Sequence, residues 1–497
     1  MLRNLLTLSA LLALNAGSMA ANAAFDHQAY LKSANQKQTQ RGRAVAVSGA
    51  RVIVSGVAGQ DEGNVVIYQR QASGEWQIVF VLKADNSDSG DEYGSALAID
   101  GDTIVVGAPN EDSGATGIGG NPGDDSAENS GAVYVYVRGE DHDWRLEAYI
   151  KSSNSQADDF FGSAVSIDGD TLIVGAPGED SGATGVGGNP ADNSVSLAGA
   201  AYVFKRTEGV WAQQAYLKAG RSDSGDTFGS SVSIFQDWAV VGAPFEQSAA
   251  TGSGGNQDDN SLQGAGAVYP FFRQGENWQP LGYLKASNTE SNDFFGSAVD
   301  ITGSPTVFGT NVLVAVGAPG EASRAVNVNG DQADNGAPGA GAVYLILGNG
   351  VGAWGQTGYL KASNTDAGDE FGASVAVNEG PARRVVVGAS REDSLGAGVD
   401  GVSNDNSASN AGAAYVFSGS NVQVSPEHYF KASNTDESDR FGFSVAADGA
   451  LIVVGAPLED SSAIGVGGDQ DDDSADASGA AYILGLPDRL FADRFGD

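Results

Sequence analysis

The stretch Phe161-Gly162-Ser163-Ala164-Val165-Ser166-Ile167-Asp168-Gly169-Asp170-Thr171-Leu172-Ile173-Val174-Gly175-Ala176-Pro177 decides the fold. Small or apolar residues alternate with polar ones after Phe161-Gly162, which is typical of a half-buried strand. The Asp168-Gly169 pair is a strong signal for a tight hairpin turn between two strands. The apolar run of residues 172–174 then indicates a second strand that is covered on both faces.

This two-strand unit is part of a longer repeat. A long loop leads to a third strand at residues 199–204, and a fourth strand ends in Tyr216-Leu217-Lys218 before the next copy begins. The Phe-Gly pair or its variant marks seven copies: Gly42, Tyr93-Gly94, Phe161-Gly162, Phe228-Gly229, Phe295-Gly296, Phe371-Gly372 and Phe441-Gly442. A unit of about 70 residues with four short strands cannot bury its own faces, so copies must stack. We therefore predict an all-β fold, a seven-bladed β-propeller of four-stranded antiparallel blades.

The two ends of the repeat predict how the ring closes. The repeat region begins with a fourth-strand motif, Tyr30-Leu31-Lys32. The last copy stops at residues 480–484 without the fourth strand that follows every other copy. We expect the N-terminal strand, about residues 27–33, to complete the seventh blade as its outer strand. Closure of this kind removes an open sheet edge.

Three segments divide the chain. Residues 1–23 read as a signal peptide, because a short basic start precedes an apolar run that is too short to span a bilayer and ends in small residues. Residues 24–485 form the propeller, and residues 486–497 are a C-terminal tail, for which a sorting role and packing against the last blade are both open. We expect an exported protein, periplasmic, at the cell surface or secreted, with no membrane insertion.

Composition narrows the possible partners. The 497 residues carry a formal net charge of −37 and include no cysteine, so thiol chemistry and disulfides are excluded. Nucleic acid and anionic membranes would be repelled by this charge. The acidity is compatible with cation binding, and solubility outside the cell explains it equally well.

The combination of Phe161-Gly162 with Gly175-Ala176-Pro177 resembles the FG-GAP repeat of integrin α-subunit propellers and related bacterial exported proteins. The resemblance covers about residues 28–485 and implies a seven-bladed propeller associated with adhesion or ligand binding. In integrins, calcium sits in Asp-rich hairpins between the first two strands of a blade. The corresponding hairpins here, such as Asp100-Gly101-Asp102 and Asp168-Gly169-Asp170, are short, so those calcium sites do not carry over.

Acidic residues recur in two kinds of loop, which follow the second and the fourth strands and so emerge on the same face of the propeller. Calcium prefers carboxylate and carbonyl oxygens, and we expect calcium to order these loops. The candidate ligands are Asp91, Asp159, Asp226, Asp293, Asp369 and Asp439 before Phe-Gly, and Glu111, Asp112, Glu179, Asp180, Glu392, Asp393, Glu459 and Asp460 after Gly-Ala-Pro.

Each candidate also has a structural interpretation. An Asp just before a tight turn accepts backbone N–H groups, as short polar side chains commonly do. The Glu after Gly-Ala-Pro is either an ion ligand or a hydrogen-bond acceptor that braces its loop. The recurring lysines, from Lys32 to Lys431, are interpreted as edge protection or loop partners, and the recurring tryptophans as packing between blades.

Signals for catalysis are poor. The three histidines, His27, His142 and His428, do not recur from blade to blade, so a triad or a histidine-bound zinc site is not indicated. We expect a non-enzymatic, monomeric binding or adhesion module whose protein or glycan ligand docks on the acidic loop face. Two alternatives stay open: a carbohydrate-active or other hydrolytic propeller enzyme, and a structural envelope protein.

Overall fold

The computed structural model describes residues 25–33, 40–57, 63–86, 88–306, 309–348, 353–378, 383–420 and 423–485. The predicted signal peptide and the C-terminal tail lie outside these residues. The described residues form 28 strands in seven four-stranded antiparallel sheets, which confirms the predicted propeller. No helix in this part of the chain is long and apolar enough to cross a membrane.

The blades are numbered in chain order, and each has its strands in sequence from the axis outward. Blade 1 contains β2 (Val45–Ser48), β3 (Arg51–Gly56), β4 (Asn64–Arg70) and β5 (Trp76–Leu82). Blade 2 contains β6 (Ala96–Asp100), β7 (Thr103–Ala108), β8 (Ala132–Arg138) and β9 (Trp144–Ile150). Blade 3 contains β10 (Ala164–Asp168), β11 (Thr171–Ala176), β12 (Ala200–Thr207) and β13 (Val210–Leu217). Blade 4 contains β14 (Ser231–Phe235), β15 (Trp238–Ala243), β16 (Ala267–Gln274) and β17 (Asn277–Pro280).

The remaining blades follow the same plan. Blade 5 contains β18 (Ala298–Thr306), β19 (Gly309–Ala318), β20 (Ala342–Gly348) and β21 (Trp354–Leu360). Blade 6 contains β22 (Ser374–Asn378), β23 (Arg383–Ala389), β24 (Ala413–Gly419) and β25 (Val424–Phe430). Blade 7 contains β26 (Ser444–Asp448), β27 (Leu451–Ala456), β28 (Ala480–Gly485) and the N-terminal strand β1 (Asp26–Leu31).

The ring closes through the N-terminal strand, as the sequence predicts. Strand β1 pairs antiparallel with β28, with Tyr30 opposite Tyr482 and Leu31 opposite Ala481. Both leucine and alanine are fully buried, so the first strand of the chain is part of the core of the last blade. Closure thus joins two segments that lie more than 400 residues apart in sequence.

Neighbouring blades pack closely near the axis, and glycine makes this possible. A Cβ added to Gly175 of the Gly-Ala-Pro strand would lie 1.9 Å from the carbonyl oxygen of Gly229 in the next blade. Gly229 itself has a φ of +96°, a conformation that L side chains rarely adopt. The Phe-Gly and Gly-Ala-Pro segments are therefore two halves of one contact between consecutive blades.

The core lies between the blades. In blade 3, Leu172, Ile173 and Val174 are fully buried, with alternate side chains packing against the two neighbouring blades. The recurring tryptophans also join blades: Trp211 donates its Nε1 hydrogen to Glu147 of the preceding blade at 2.8 Å. These contacts support the interpretation of the tryptophans as packing residues.

Candidate functional site

Two kinds of loop meet on one side of the ring, which we call the loop face. The loops that follow the second strands of blades 2 to 7 are equal in length and span residues 109–131, 177–199, 244–266, 319–341, 390–412 and 457–479. Each folds back over the outer strand of its own blade. In blade 3, Val186 bridges to Leu217, and the Lys218 N–H donates to the Gly185 carbonyl at 2.8 Å. The outer strand therefore fixes the position of the loop.

A buried ion pair holds every one of these loops. The Glu two positions after Gly-Ala-Pro, or after Gly-Ala-Ser in blade 6, accepts a hydrogen bond from the lysine that follows the outer strand, and both side chains are almost inaccessible to solvent. The Nζ to Oε2 distances are 2.8 Å for Lys151 and Glu111, 2.8 Å for Lys218 and Glu179, 2.6 Å for Lys285 and Glu246, 2.8 Å for Lys361 and Glu321, 2.9 Å for Lys431 and Glu392, and 2.6 Å for Lys32 and Glu459.

Each glutamate also accepts hydrogen bonds from groups other than the lysine, and blade 3 shows the full set. Glu179 accepts from the Tyr216 hydroxyl at 2.8 Å, from Asn154 Nδ2 at 3.0 Å and from the Ser181 N–H at 3.1 Å. The asparagine comes from the connection between blades 2 and 3, so the same carboxylate ties a loop to its outer strand and to the neighbouring blade. A buried charge with this many partners is stable only as a complete network.

Blade 7 uses the N-terminal segment for the same purpose. Its glutamate, Glu459, pairs with Lys32 and accepts from the Tyr30 hydroxyl at 2.6 Å. Blade 1 departs from the pattern because its second loop is shorter, and there Lys83 is exposed. Burial of the lysine therefore accompanies the long loop.

The Asp before each Phe-Gly is a turn residue in the structure. These six aspartates are 2 to 6% exposed, and each accepts a backbone N–H from the residue three positions earlier at 2.8 to 3.2 Å. Burial, together with neighbouring carboxylates, raises the pKa of Asp91 to about 6, of Asp159, Asp226, Asp293 and Asp369 to about 7, and of Asp439 to about 8. Such groups retain a proton well above the pH at which a free aspartate loses it.

The Asp that follows the paired Glu braces the far end of its loop. Asp180 Oδ1 accepts the Leu197 N–H at 2.8 Å, and Asp112, Asp393 and Asp460 make the same bond in their own loops at 2.7 Å. The structure thus assigns a hydrogen-bonding partner to each kind of predicted metal ligand.

The positions of these carboxylates determine whether they can bind calcium together. In the described part of the chain, no group of three or more Asp, Glu or His side chains is placed to hold a metal ion. The paired glutamates are already bound to a lysine ammonium, so a cation at those oxygens would have to displace it. In this arrangement the predicted ligands are engaged in hydrogen bonds and ion pairs within the protein, and calcium binding stays a prediction.

Other carboxylates on the loop face point into solvent. The exposed ones in the long loops include Asp125, Glu128, Asp258, Asp331, Asp405, Asp471, Asp472 and Asp473. Because the network beneath them uses its own charges internally, these side chains set the negative potential that an approaching ligand meets.

An aromatic pair interrupts this acidic surface, and sequence reasoning missed it. The Phe245 and Phe294 rings are 5.4 Å apart in an edge-to-face arrangement, and Phe245 is 47% exposed. Phe294 has a φ of 55° and lies against Gly320, where a Cβ would be 3.0 Å from its ring. The doubled phenylalanine of residues 294–295 was the available signal, since only one of the two can be the buried ring of Phe-Gly.

A small cavity lies at the rim between blades 5 and 6, with a volume of about 180 Å³. His428 and Asp400 line it, and their Nδ1 and Oδ2 atoms are 2.9 Å apart. Ser363 is also on the cavity wall. Within the described residues, this histidine–carboxylate pair shares a cavity wall with a serine hydroxyl, and it relates to the hydrolytic alternative.

The geometry defines a propeller that presents ordered loops on one face, a class of protein that generally binds ligands. The FG-GAP repeat profile matches residues 76–136, 144–204, 211–271, 354–417 and 427–484, more than half of the chain. The chain belongs to the FG-GAP repeat family. Each match runs from the outer strand of one blade into the third strand of the next. A comparison with curated proteins gives no match.

Proposed function

We propose that this protein is an exported, monomeric, non-enzymatic binding or adhesion module that takes a protein or glycan ligand on its loop face. The observation that carries the proposal is the contrast between the two layers of that face. Buried Lys–Glu pairs fix six loops of equal length, while exposed carboxylates and the Phe245–Phe294 pair remain on the surface. A fixed surface loses little conformational entropy on binding, which favours recognition.

The ligand should carry complementary features. Exposed carboxylates attract cationic groups, and an exposed aromatic ring offers a platform for apolar side chains or for the C–H face of a sugar. Binding of the purified protein to glycan arrays and to arrays of cell-surface proteins tests the proposal. Phe245→Ala should weaken the binding, and Val210→Ala, at an exposed valine beside the opposite hairpin turns, should leave it unchanged. Equal binding by the three proteins would contradict the assignment of the loop face.

Calcium that orders the loops belongs to the same proposal. A native-state ligand stabilises by mass action, so the thermal midpoint should rise on adding millimolar calcium and fall again with chelator. An unchanged midpoint would remove calcium from the account and leave the binding proposal in place, because the ion pairs hold the loops without it.

The hydrolytic alternative is tested at the cavity between blades 5 and 6. His428→Ala removes the ring that pairs with Asp400. We expect the variant to bind the same array ligands as the natural protein and to show the same absence of turnover on chromogenic glycosides and esters. Hydrolysis by the natural protein that this substitution abolishes would favour the enzyme.

A further inference from the structure

An asparagine recurs where one blade connects to the next, and its carboxamide makes the same three hydrogen bonds at five connections. Asn154 donates from Nδ2 to Glu179 at 3.0 Å and to the Pro190 carbonyl at 2.9 Å, and its Oδ1 accepts from the Tyr202 hydroxyl at 2.6 Å. The equivalent residues are Asn86, Asn288, Asn364 and Asn434.

The connection between blades 3 and 4 lacks this carboxamide. Residues Gly220-Arg221 stand where Ser-Asn stands in the neighbouring connections. The Arg221 side chain does not replace the amide, because it turns outward to pair with Asp223 at 3.1 Å and Asp258 at 2.8 Å, and it is 47% exposed. The position that an asparagine fills elsewhere is therefore vacated.

The groups that would bind the amide are still in place. The Tyr269 ring keeps the packing of its counterparts, with centroids 5.4 Å from Phe228 and 5.5 Å from Tyr283, so its hydroxyl points to the same position. It is 3% exposed, and its hydroxyl has no partner among the described residues. Glu246 still binds Lys285 at 2.6 Å and the Tyr283 hydroxyl at 2.8 Å, as in the other blades.

Two further polar atoms at this junction lack partners within the described ranges. At the next junction, the Ser287 hydroxyl donates to the side-chain oxygen of Gln332 at 2.5 Å. Gln257 is the equivalent of Gln332, but Gly220 stands in place of the serine and has no hydroxyl, so Gln257 Oε1 has no partner among the described residues. Asp226 Oδ1 is also buried without a partner in that part of the chain. A buried polar atom left unpaired is costly, so several at one junction indicate that the junction lacks a hydrogen-bonding group.

The hydrogen-bonding pattern selects the chemistry of that group. Tyr269 needs an acceptor, and the Gln257 main-chain carbonyl is equivalent to the Pro190 carbonyl that takes an N–H from Asn154. A primary carboxamide supplies both the acceptor and the donor, whereas Glu246 already accepts from the N–H and the hydroxyl of Ser248. A guanidinium or ammonium group has no acceptor for the tyrosine. A metal ion would lie beside a glutamate that already neutralises the Lys285 ammonium.

We propose that this junction is a receptor site for the carboxamide side chain of an asparagine or glutamine on a protein partner. Gly220 and Arg221 are both exposed, so the vacated position opens on the loop face. The inference rests on the proposed function for the identity of the partner, but the site itself depends only on the contacts above.

The test uses acetamide as the probe and the full chain in four forms. The first is the natural protein, and the second is the repaired variant, Gly220→Ser with Arg221→Asn, which restores the asparagine between blades 3 and 4. The third is the transplanted variant, Ser153→Gly with Asn154→Arg, which removes the asparagine between blades 2 and 3. The fourth combines the transplant with the repair. N,N-dimethylacetamide is the control compound, because it has no N–H donor. The thermal midpoint is measured from 0 to about 200 mM of each compound, and the repaired variant should melt higher than the natural protein in buffer alone.

We expect acetamide to raise the midpoint of the natural protein saturably, by about 2 °C, relative to dimethylacetamide. The repaired variant should lose this response, and the transplant should recover it in the repaired background. An equal response in the natural and repaired proteins, or none in the natural protein, would overturn the proposal and leave the position to ordered water. Failure of the natural protein to bind any array would instead refute the proposed function, without changing the acetamide result.

Discussion

Replacing one buried lysine tests how much the ion pairs contribute to the loop face. Lys218→Met keeps the length and much of the apolar stem of the side chain but removes the ammonium that Glu179 binds at 2.8 Å. Both groups are 1% exposed, so the carboxylate is left charged in a site that excludes water. Breaking a buried pair by removing one partner costs about 3 to 5 kcal/mol.

The local contacts explain why relaxation cannot avoid this cost. Tyr216, Asn154 and the Ser181 N–H still hold the Glu179 carboxylate in place, so it cannot turn toward solvent without breaking them. Burial already lowers the pKa of Lys218, although Glu179 opposes that effect, which shows that desolvation is the dominant cost at this site. The double variant Lys218→Met with Glu179→Gln should therefore recover part of the stability.

The assay is equilibrium unfolding in urea, with Lys205→Met as the matched control. Lys205 pairs with Glu276 at 3.5 Å on the surface, where a salt bridge contributes about 0 to 1 kcal/mol. We expect a large loss for Lys218→Met, a smaller one for the double variant and almost none for the control. A loss below about 1 kcal/mol for Lys218→Met would refute the view that these pairs hold the loops.

Four further predictions concern acidity, closure, packing and the ligand surface. The pKa of Asp439 is raised to about 8, so between pH 4 and 8 the folded protein holds a proton that the unfolded chain has released; stability should fall as pH rises from about 4 to about 8 and level off above that, and Asp439→Asn should flatten the fall, by about 1.4 kcal/mol for each pH unit, in melts from pH 5 to 9. Lys32→Met should destabilise blade 7 to the same extent that Lys218→Met destabilises blade 3. An unchanged thermal midpoint would argue against closure of the ring by the N-terminal segment. Gly175→Ala should lower the unfolding free energy by more than about 2 kcal/mol, because its Cβ meets a carbonyl at 1.9 Å, while Gly355→Ala, with open space around it, should be near neutral in the same urea assay. Phe245→Ala should reduce ligand binding by at least tenfold with an unchanged thermal midpoint, and a shared loss of both would assign this ring to the core.

The repeat and its ring closure were predictable because they depend on local signals. The Asp168-Gly169 turn, the apolar run after it and the missing last strand are each read from adjacent residues. The interpretation of the pre-Phe-Gly aspartates as turn residues is confirmed for the same reason, since Asp159 bonds an N–H only three positions away.

The ion pairs were less accessible to sequence reasoning. Lys218 and Glu179 lie 39 residues apart, and they meet only because the long loop folds back across the outer strand. Sequence reasoning interpreted the lysines as edge protection or loop partners, and the structure shows the second role with the charge fully buried. The position of Phe294, which packs edge-to-face on Phe245, likewise depends on Gly320 in the long loop of blade 5, which no local pattern reveals.

Hydrogen exchange of the protein with and without its array-selected ligand tests most directly whether the loop face is the binding surface. The account predicts slower exchange of amides in the long loops, above all residues 244–266 around Phe245, with no change in the hairpin turns at residues 139–143 and 208–209. Protection confined to those hairpin turns, or to the outer strands, would contradict it.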